Sequence, residues 1–250
     1  MVSLTPVPLL TTGPPSAILA IKIPSGSGNM KIAEDLCFYP WESYTENNCN
    51  SIVIGGSVKT MIDPGHAHLF PGLSDQMRAD GVPPEQIGFV VYTHCHPDHM
   101  EAGQELARLG AKQALHAADE EYLQKIGPEF YKSMGLAMPD IQIDVNLTEG
   151  ELKLGDKTLH VYATPGHSPG HVCLYWPAYK VLITGDLIFA QGVGRTDFPG
   201  GSGKHLKESI VRMSQLDVEA VLPGHGPPIV GRKNVIRNYQ VIKQTYFPML

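Results

Sequence analysis

The chain has 250 residues, 42% of them hydrophobic, and its 25 acidic and 19 basic residues give a formal charge of −6. This length could make one α/β domain or two small ones, and we expect a single domain over residues 1–250. The negative charge and the lack of Lys/Arg runs exclude nucleic acid as an expected partner, because a phosphate backbone would be repelled. No stretch approaches the roughly 20 apolar residues that span a bilayer, so we expect a soluble protein with no membrane role.

The N-terminal segment MVSLTPVPLLTTGPPSAILAIKIPSG has only a superficial likeness to a signal sequence. It lacks a basic first region, and four prolines interrupt its apolar stretch before residue 16. We interpret it as an extended lead-in to a first strand, SAILAIKI. The four cysteines form no CxxC pair, which fits neither a disulfide framework nor a thiolate zinc site and favours the cytoplasm.

The first half of the chain alternates predicted strands and helices. MKIAEDLCFY and CNSIVIGGSVKTMID are β-rich, and the second is predicted to be a hairpin that turns at Gly55 and Gly56. A helix over 71–80 is opened by Pro71 and stopped by Gly81. IGFVVYTH is a buried strand, and HMEAGQELARLG is a helix that ends at Gly110. A helical insertion is predicted at about 117–138, closed by Pro139.

The second half returns to β structure. Strands with glycine turns are predicted in IQIDVNLTEGELKLGDKTLHVYATPG, HVCLYW and KVLITGD. A helix at about 204–216, the apolar strand VEAVLPG and a basic helix at about 232–245 follow. Two strand-rich halves, each with helices to cover one sheet face, predict an α/β fold of the αββα sandwich type, with two mixed sheets flanked by helices.

Side chains that bind metals follow four of these strands. Strand ends on a rigid sheet are where polar ligands can converge without disturbing the core. The two-residue period places His94 and His96 on one side, and the bend at Pro97 can turn Asp98 and His99 to another. The motifs HCHPDH, TPGH, TGD and LPGH supply seven candidate ligands: His94, His96, Asp98, His99, His167, Asp186 and His225.

These seven side chains predict a two-metal centre. We assign metal 1 to His94, His96 and His167. We assign metal 2 to Asp98, His99 and His225, with Asp186 bridging the two. Nitrogen and oxygen ligands suit zinc, iron or manganese, so we expect two divalent ions per chain without choosing among these metals.

The motifs HCHPDH, TPGHSPGH, LITGD and LPGHG, with an early MIDPG, resemble those of the metallo-β-lactamase superfamily over about 47–226. The resemblance implies an αββα fold and a metal-bound hydroxide. The segment GVGRTDFPGGS is more similar to glyoxalase II-like hydrolases and persulfide dioxygenases than to antibiotic-cleaving lactamases. Full-length glyoxalase II has a further helical domain that helps to hold glutathione, whereas 25 residues follow His225 here.

The expected activity is hydrolysis of a small-molecule thioester, as in a short glyoxalase II. A metal-bridging hydroxide would be the nucleophile, and Asp98 and Asp186 would orient it as catalytic residues. The main alternative is an iron-dependent persulfide dioxygenase, which in the related family uses one metal held by residues matching His94, His167 and Asp186. The third possibility is a lactonase or a lactamase-like amide hydrolase that uses the same site.

Three further residues are expected near the site. Arg195 can offer a bidentate fork to a substrate carboxylate. Tyr131, in the helical insertion, is expected to line the entrance and contact substrate. Asp63 either caps the turn at Pro64 and Gly65 or, by family comparison, holds a ligand histidine in place.

The remaining histidines are expected to have structural roles. His66 and His68 imitate an HxH pair but have no carboxylate or third histidine close in sequence, which favours a loop role. His171 is expected to pack or to support a ligand. Isolated histidines are more often surface or hydrogen-bonded structural residues than ligands, which applies to His116, His160 and His205.

Overall fold

The computed structural model describes residues 30–43 and 45–250. The predicted strand SAILAIKI and the lead-in before it lie outside these residues. Among the described residues, no helix is both long and apolar enough to cross a membrane.

Within the described part of the chain, the first sheet has seven strands in chain order. They are β1 (Met30–Ala33), β2 (Leu36–Tyr39), β3 (Ser51–Ile54), β4 (Thr60–Ile62), β5 (Phe89–Val91), β6 (Lys112–His116) and β7 (Val145–Leu147). The pairs from β1 to β4 are antiparallel, whereas those from β4 to β7 are parallel. The predicted hairpin over 49–63 is confirmed, because Ile54 pairs with Thr60 across its turn.

The second sheet is built from the second half of the chain. Its strands include β8 (Gly150–Leu154), β9 (Lys157–Ala163), β10 (Val172–Trp176) and β11 (Val181–Gly185). A small separate hairpin follows, made of β12 (Ile188–Phe189) and β13 (Gly192–Val193), before β14 (Ala220–Pro223) and β15 (Ile229–Val230) complete the sheet. The order is β15-β14-β11-β10-β9-β8, with β11 and β14 parallel and the other neighbours antiparallel.

The helices lie on the outer faces of the two sheets. They are α1 (Phe70–Ala79), α2 (Pro97–Met100), α3 (Gly103–Arg108), α4 (Ala117–Ser133), α5 (Gly203–Met213) and α6 (Arg232–Thr245), with a 3₁₀ turn at Pro84–Gln86. Buried side chains of α1, α3 and α4 pack on the first sheet, and those of α5 and α6 pack on the second.

The core between the sheets follows from the two-residue period of the strands. Ile52 and Ile54 face the second sheet, while Val53 faces the outer helices. In β11, Val181 and Ile183 face the first sheet, whereas Leu182 faces α5 and α6. Because both faces of these strands are covered, they are apolar throughout rather than alternating. This arrangement confirms the predicted αββα sandwich.

Two helix boundaries differ from the prediction. The helix predicted over 99–110 is split into α2 and α3, because the Ala102 N–H donates to the Gly65 carbonyl instead of to a carbonyl of the preceding helical turn. Gly103 lies at this break against the Tyr92 ring, where a Cβ would lie 1.6 Å from the phenol oxygen. Helix α4 ends before the predicted Met138, since Gly135 takes a φ of +76° that stops the helix.

The topology brings five strand ends to one edge of the sandwich. β4 and β5 are parallel, so the residues that follow them leave the first sheet on the same side. In the second sheet, β9 and β11 are both antiparallel to β10 and therefore run in the same direction, and β14 is parallel to β11. The segments after β5, β9, β11 and β14 carry the motifs HCHPDH, TPGH, TGD and LPGH.

Candidate metal centre

The HCHPDH segment enters the site at the end of β5. His96 is the N-cap of α2 and Pro97 is its first residue, a position where the missing N–H of proline would have no helical partner. The chain therefore changes from strand to helix within the motif. This change separates the imidazoles of His94 and His96 from the side chains of Asp98 and His99.

Three buried imidazoles form the first triad of the site. His94 Nε2 lies 3.2 Å from His167 Nε2, and His96 Nδ1 lies 2.8 Å from the same nitrogen. The three side chains are at most 3% exposed. They are the three residues assigned to metal 1.

Asp98, His99 and His225 form the second triad. His225 Nε2 lies 3.3 Å from Asp98 Oδ2 and 3.3 Å from His99 Nε2. His99 Nε2 lies 3.9 Å from Asp98 Oδ2. These are the residues assigned to metal 2, and in each triad the candidate ligand atoms lie within 4.8 Å of one another.

Asp186 lies between the triads and contacts both. Its Oδ2 is 3.4 Å from His167 Nε2 and 3.4 Å from His225 Nε2. Its Oδ1 is 3.3 Å from His99 Nε2. The seven side chains predicted from sequence as ligands are thus brought together in one cluster, with Asp186 in the position that a bridging ligand would need.

The hydrogen bonds behind the cluster turn ring nitrogens inward. We assign the Nδ1 proton of His167 to the Arg195 carbonyl at 2.7 Å and that of His99 to Asp63 Oδ2 at 2.9 Å. His94 Nδ1 faces Thr93 Oγ1 at 3.1 Å. Nε2 of His94 and Nε2 of His167 then face each other at 3.2 Å, where their lone pairs would repel unless a cation lay between them, and Nε2 of His99 faces Asp186 Oδ1 at 3.3 Å.

The donor set therefore fits divalent cations. Asp186 Oδ1 is buried and accepts no hydrogen bond from the described residues, although His99 Nε2 lies 3.3 Å away, and such a carboxylate oxygen is costly unless a cation balances it. Imidazole nitrogen and carboxylate oxygen are ligands that zinc, iron and manganese accept. The residues present are suited to hold two such ions.

The two triads differ in their affinity for protons. Burial lowers the pKa values of His94 and His96 well below the usual range, so both rings are neutral at pH 7. Burial also opposes charge on His225, but the carboxylate of Asp186, which accepts a hydrogen bond from His225, and that of Asp98 raise its pKa to about 10. The Asp186 carboxyl is likewise buried, yet the neighbouring His225 and His99 hold its pKa well below the usual range.

This difference predicts how metal binding depends on pH. Burial also opposes charge on His99, but the carboxylates of Asp186, Asp63 and Asp98 raise its pKa well above the usual range, so a cation in the second triad must displace a proton from His99 as well as from His225. We expect binding of the second metal equivalent to weaken by about tenfold to a hundredfold for each unit that the pH falls below neutrality, since one or two protons are displaced, with a weaker dependence for the first equivalent. Metal content after dialysis against limiting zinc at several pH values measures this, and identical dependence of both equivalents would contradict it.

Asp63 supports the cluster from the end of β4. Its carboxylate accepts hydrogen bonds from the Thr93 N–H at 2.8 Å, from the Thr93 hydroxyl at 2.6 Å and from His99 Nδ1. The contact with His99 therefore supports the second role considered for Asp63, that of holding a ligand histidine in place. A carboxylate behind a ligand imidazole fixes the ring and increases its basicity.

Asp119, in the first turn of α4, has a supporting role that the sequence did not reveal. Its buried carboxylate accepts hydrogen bonds from the Cys95 N–H at 3.0 Å, the Ser168 hydroxyl at 2.7 Å and the Gly170 N–H at 2.5 Å. It thereby links the HCHPDH segment to the segment that carries His167. Acidic residues are common in the first turn of any helix, so Asp119 could not be distinguished by its position in the sequence.

Other supporting residues come from the segment 46–50 and from the residue that directly precedes β10. Asn47 Nδ2 donates to Asp98 Oδ2 at 2.7 Å, and Asn50 Nδ2 donates to the carbonyls of Pro223 and Gly226 on either side of His225. The asparagines resemble an ordinary polar loop in the sequence. His171 accepts a hydrogen bond from the Asp186 N–H at 3.1 Å, which agrees with its expected supporting role.

The expected position of Tyr131 at the entrance is wrong. Its side chain projects from α4 towards the first sheet and is fully buried there, and the phenol donates to the Cys95 carbonyl at 3.2 Å. On α4 this residue faces the first sheet, whereas Met134 lies beyond the end of the helix and lines the cavity.

Tyr131→Phe should therefore change stability and not substrate binding. Loss of one buried hydrogen bond is expected to lower the free energy of unfolding by about 1 kcal/mol, with KM unchanged. Urea unfolding and steady-state kinetics on the same preparations check both parts. A raised KM at unchanged stability would restore Tyr131 to the substrate site.

Arg195 lines the cavity, but its guanidinium is already engaged. Nε and one Nη donate to the two carboxylate oxygens of Asp197 at 2.7 and 2.6 Å, and the group stacks 3.7 Å above the Phe198 ring. A substrate carboxylate would have to compete with Asp197 for the predicted fork. Both side chains are more than half exposed, so this ion pair is weak in water.

A cavity of about 640 Å³ opens over the cluster. His96, Asp98, Asp186 and His225 contribute to its lining, together with His167. Met134, Leu136 and Phe198 form an apolar part of its wall. This volume and mixture of apolar and polar groups suit a small-molecule ligand.

Comparison with known proteins agrees with this geometry. The model of the metallo-beta-lactamase superfamily matches residues 44–225. A probable metallo-hydrolase of Methanocaldococcus jannaschii is 31% identical over 183 residues, which cover 71% of this chain and 87% of that protein. Hydroxyacylglutathione hydrolase GloC of Haemophilus influenzae is 33% identical over 146 residues, 55% of this chain and 68% of that protein.

Among solved structures, TTHA1623 in a di-iron-bound form is 29% identical with a TM-score of 0.67. The match covers 85% of this chain and all of that one. The family match spans β3 to β14 and all four motif-bearing strand ends described above. The chain therefore belongs to the metallo-beta-lactamase superfamily.

Proposed function

We propose that this metallo-hydrolase cleaves small thioesters at a two-metal centre held by His94, His96 and His167 on one side and by Asp98, His99 and His225 on the other. The observation that carries the proposal is Asp186, whose two carboxylate oxygens contact histidines of both triads. A site for one metal ion would need only about half of these seven side chains.

Two bound divalent ions would supply Lewis acidity and activate a water molecule near neutral pH. Asp98 and Asp186 would orient that water, and Asn47 fixes Asp98 by donating to its Oδ2. The Arg195 carbonyl and Asp63 hold His167 and His99 in the tautomers that leave Nε2 free. These contacts arrange the site before substrate arrives, which lowers the reorganisation needed during the reaction.

The thioester class is supported by the leaving group and by the relatives. A thiolate with a pKa of about 8.5 leaves without a strong proton donor. The GVGRTDF segment resembles the glyoxalase II-like branch, and one relative is named a hydroxyacylglutathione hydrolase. The apolar wall formed by Met134, Leu136 and Phe198 offers a surface for the uncharged part of an acyl thioester.

Oxygen separates this function from the main alternative. We expect the protein loaded with zinc, iron or manganese to cleave S-lactoylglutathione at the same rate with and without air and to stop on chelation. A persulfide dioxygenase would instead consume oxygen on glutathione persulfide and would need iron. Oxygen uptake with persulfide and no thioester cleavage by any metal form would overturn the proposal, and inactivity on both substrates would leave lactones and lactams to be tested.

A further inference from the structure

We propose that His66, His68 and Glu101 form a third metal site, suited to zinc or a similar transition-metal ion, at the rim of the cavity. His66 and His68 lie in the segment after β4, and Glu101 directly follows α2. None of the three belongs to the two triads or to Asp186. The proposal rests on these three side chains and not on the reaction that the centre performs.

The candidate ligand atoms of the three residues lie close together. Each of the three residues offers a nitrogen or oxygen atom, and these atoms lie within 4.8 Å of one another. The triads of the centre meet the same limit. Zinc binds nitrogen and oxygen at about 2.0–2.2 Å, so atoms around one ion lie roughly 3–4 Å apart. The His68 side chain is 56% exposed, so among the three it has the most room to turn towards a shared ion.

The contacts of Glu101 explain why a cation would be favoured there. Its side chain is only 8% exposed, and its Oε2 lies 2.7 Å from His66 Nδ1. A buried carboxylate needs a compensating positive charge or strong donors. His66 provides part of this charge as an ion pair, and a cation shared with the second imidazole, whose ring lies 5.4 Å from that of His66, would provide the rest.

His68 connects this pair to a second carboxylate. Its Nε2 lies 2.7 Å from Glu46 Oε1, on the segment that also carries Asn47. Two imidazoles with one or two carboxylates make a nitrogen and oxygen set that zinc accepts. Both histidines line the cavity that contains Asp98, Asp186 and His225, so the proposed ion would lie at its rim.

Measurement of the zinc bound per chain tests the proposal on the 250-residue protein. Wild type and variants are dialysed against the same excess of zinc, and bound zinc per chain is measured. We expect His68→Ala to bind one equivalent less than wild type, and Glu101→Gln to lose the same equivalent. The matched control is His205→Ala, which removes an exposed histidine on α5 and should bind as much zinc as wild type. Because the result is a difference, it does not depend on how many ions the centre holds.

Each other outcome would overturn the proposal. Equal zinc content in wild type and His68→Ala would show that His66 and Glu101 are only an ion pair. Loss in His68→Ala but not in Glu101→Gln would assign the ion to the surface pair of His68 and Glu46. Loss of more than one equivalent in both variants would show that the segment supports the centre and does not bind an ion itself. His68 is exposed, so its variant can be measured even if Glu101→Gln fails to fold.

Discussion

Replacing Asp186 with alanine is expected to abolish tight binding of both metal ions and to reduce the hydrolytic rate by roughly 10³-fold. The carboxylate contacts His167 in one triad and both His99 and His225 in the other, so its loss removes a ligand from each proposed ion. Metal ions supply several kcal/mol of transition-state stabilisation, and each tenfold in rate corresponds to about 1.36 kcal/mol. Metal analysis and single-turnover kinetics on the purified variant measure the two losses.

His225→Ala is the matched control for this variant. His225 contacts the second triad and Asp186 but none of His94, His96 and His167 in the contacts described, so one tightly bound ion should remain. If purified Asp186→Ala keeps two ions at wild-type affinity, the bridging assignment is wrong. If His225→Ala loses both ions, the division into two triads is wrong.

Asp119→Ala is expected to lower the free energy of unfolding by about 3 kcal/mol. The substitution leaves the buried N–H groups of Cys95 and Gly170 without their acceptor, and an unsatisfied buried polar group costs about 1–3 kcal/mol. The substitution also removes the acceptor of the hydrogen bond from the hydroxyl of Ser168, the residue that follows His167 in the chain. The HCHPDH segment and the segment that carries His167 are both hydrogen-bonded to this carboxylate. We therefore expect weaker metal binding at the first triad as well.

Glu121→Ala provides the comparison on the same helix. Glu121 is exposed and forms an (i, i+4) pair with Lys125, a contact that contributes only about 0.3–0.5 kcal/mol. Urea unfolding of both variants with metal bound and after chelation separates the effect on folding from the effect on the centre. A loss below 1 kcal/mol in Asp119→Ala would mean that water or other donors replace the carboxylate.

The αββα sandwich was predictable because the strands are apolar on both faces. Ile52 to Ile54 and Val181 to Ile183 are covered by the opposite sheet and by helices, which produces continuous apolar runs with glycine turns between them. β6 was not predicted. It contains Lys112 and Gln113, and Gln113 is buried only because Tyr92 and the Ala111 carbonyl provide hydrogen-bond partners.

The seven clustered side chains were also found from sequence, because each follows a recognisable strand at short range. His94, His96, Asp98 and His99 lie within six residues, and the other three each follow an apolar strand. Parallel strand directions then bring these ends to one edge. Spacing along the chain was therefore sufficient to nominate the residues, although their roles as ligands remain a proposal until metal is measured.

Only the tertiary structure decided which residues support the cluster and which are excluded from the cavity. Asp119 contacts residues 24 and 51 positions away, and Asn50 contacts carbonyls more than 170 positions away. Tyr131 faces the first sheet and not the cavity because of the orientation of α4, and His66 meets Glu101 because α2 folds back on the segment after β4. Local patterns encode strands, helices and ligand spacing, since these depend on neighbours in sequence. The partners of a buried carboxylate depend on distant segments that meet only when the two sheets have packed.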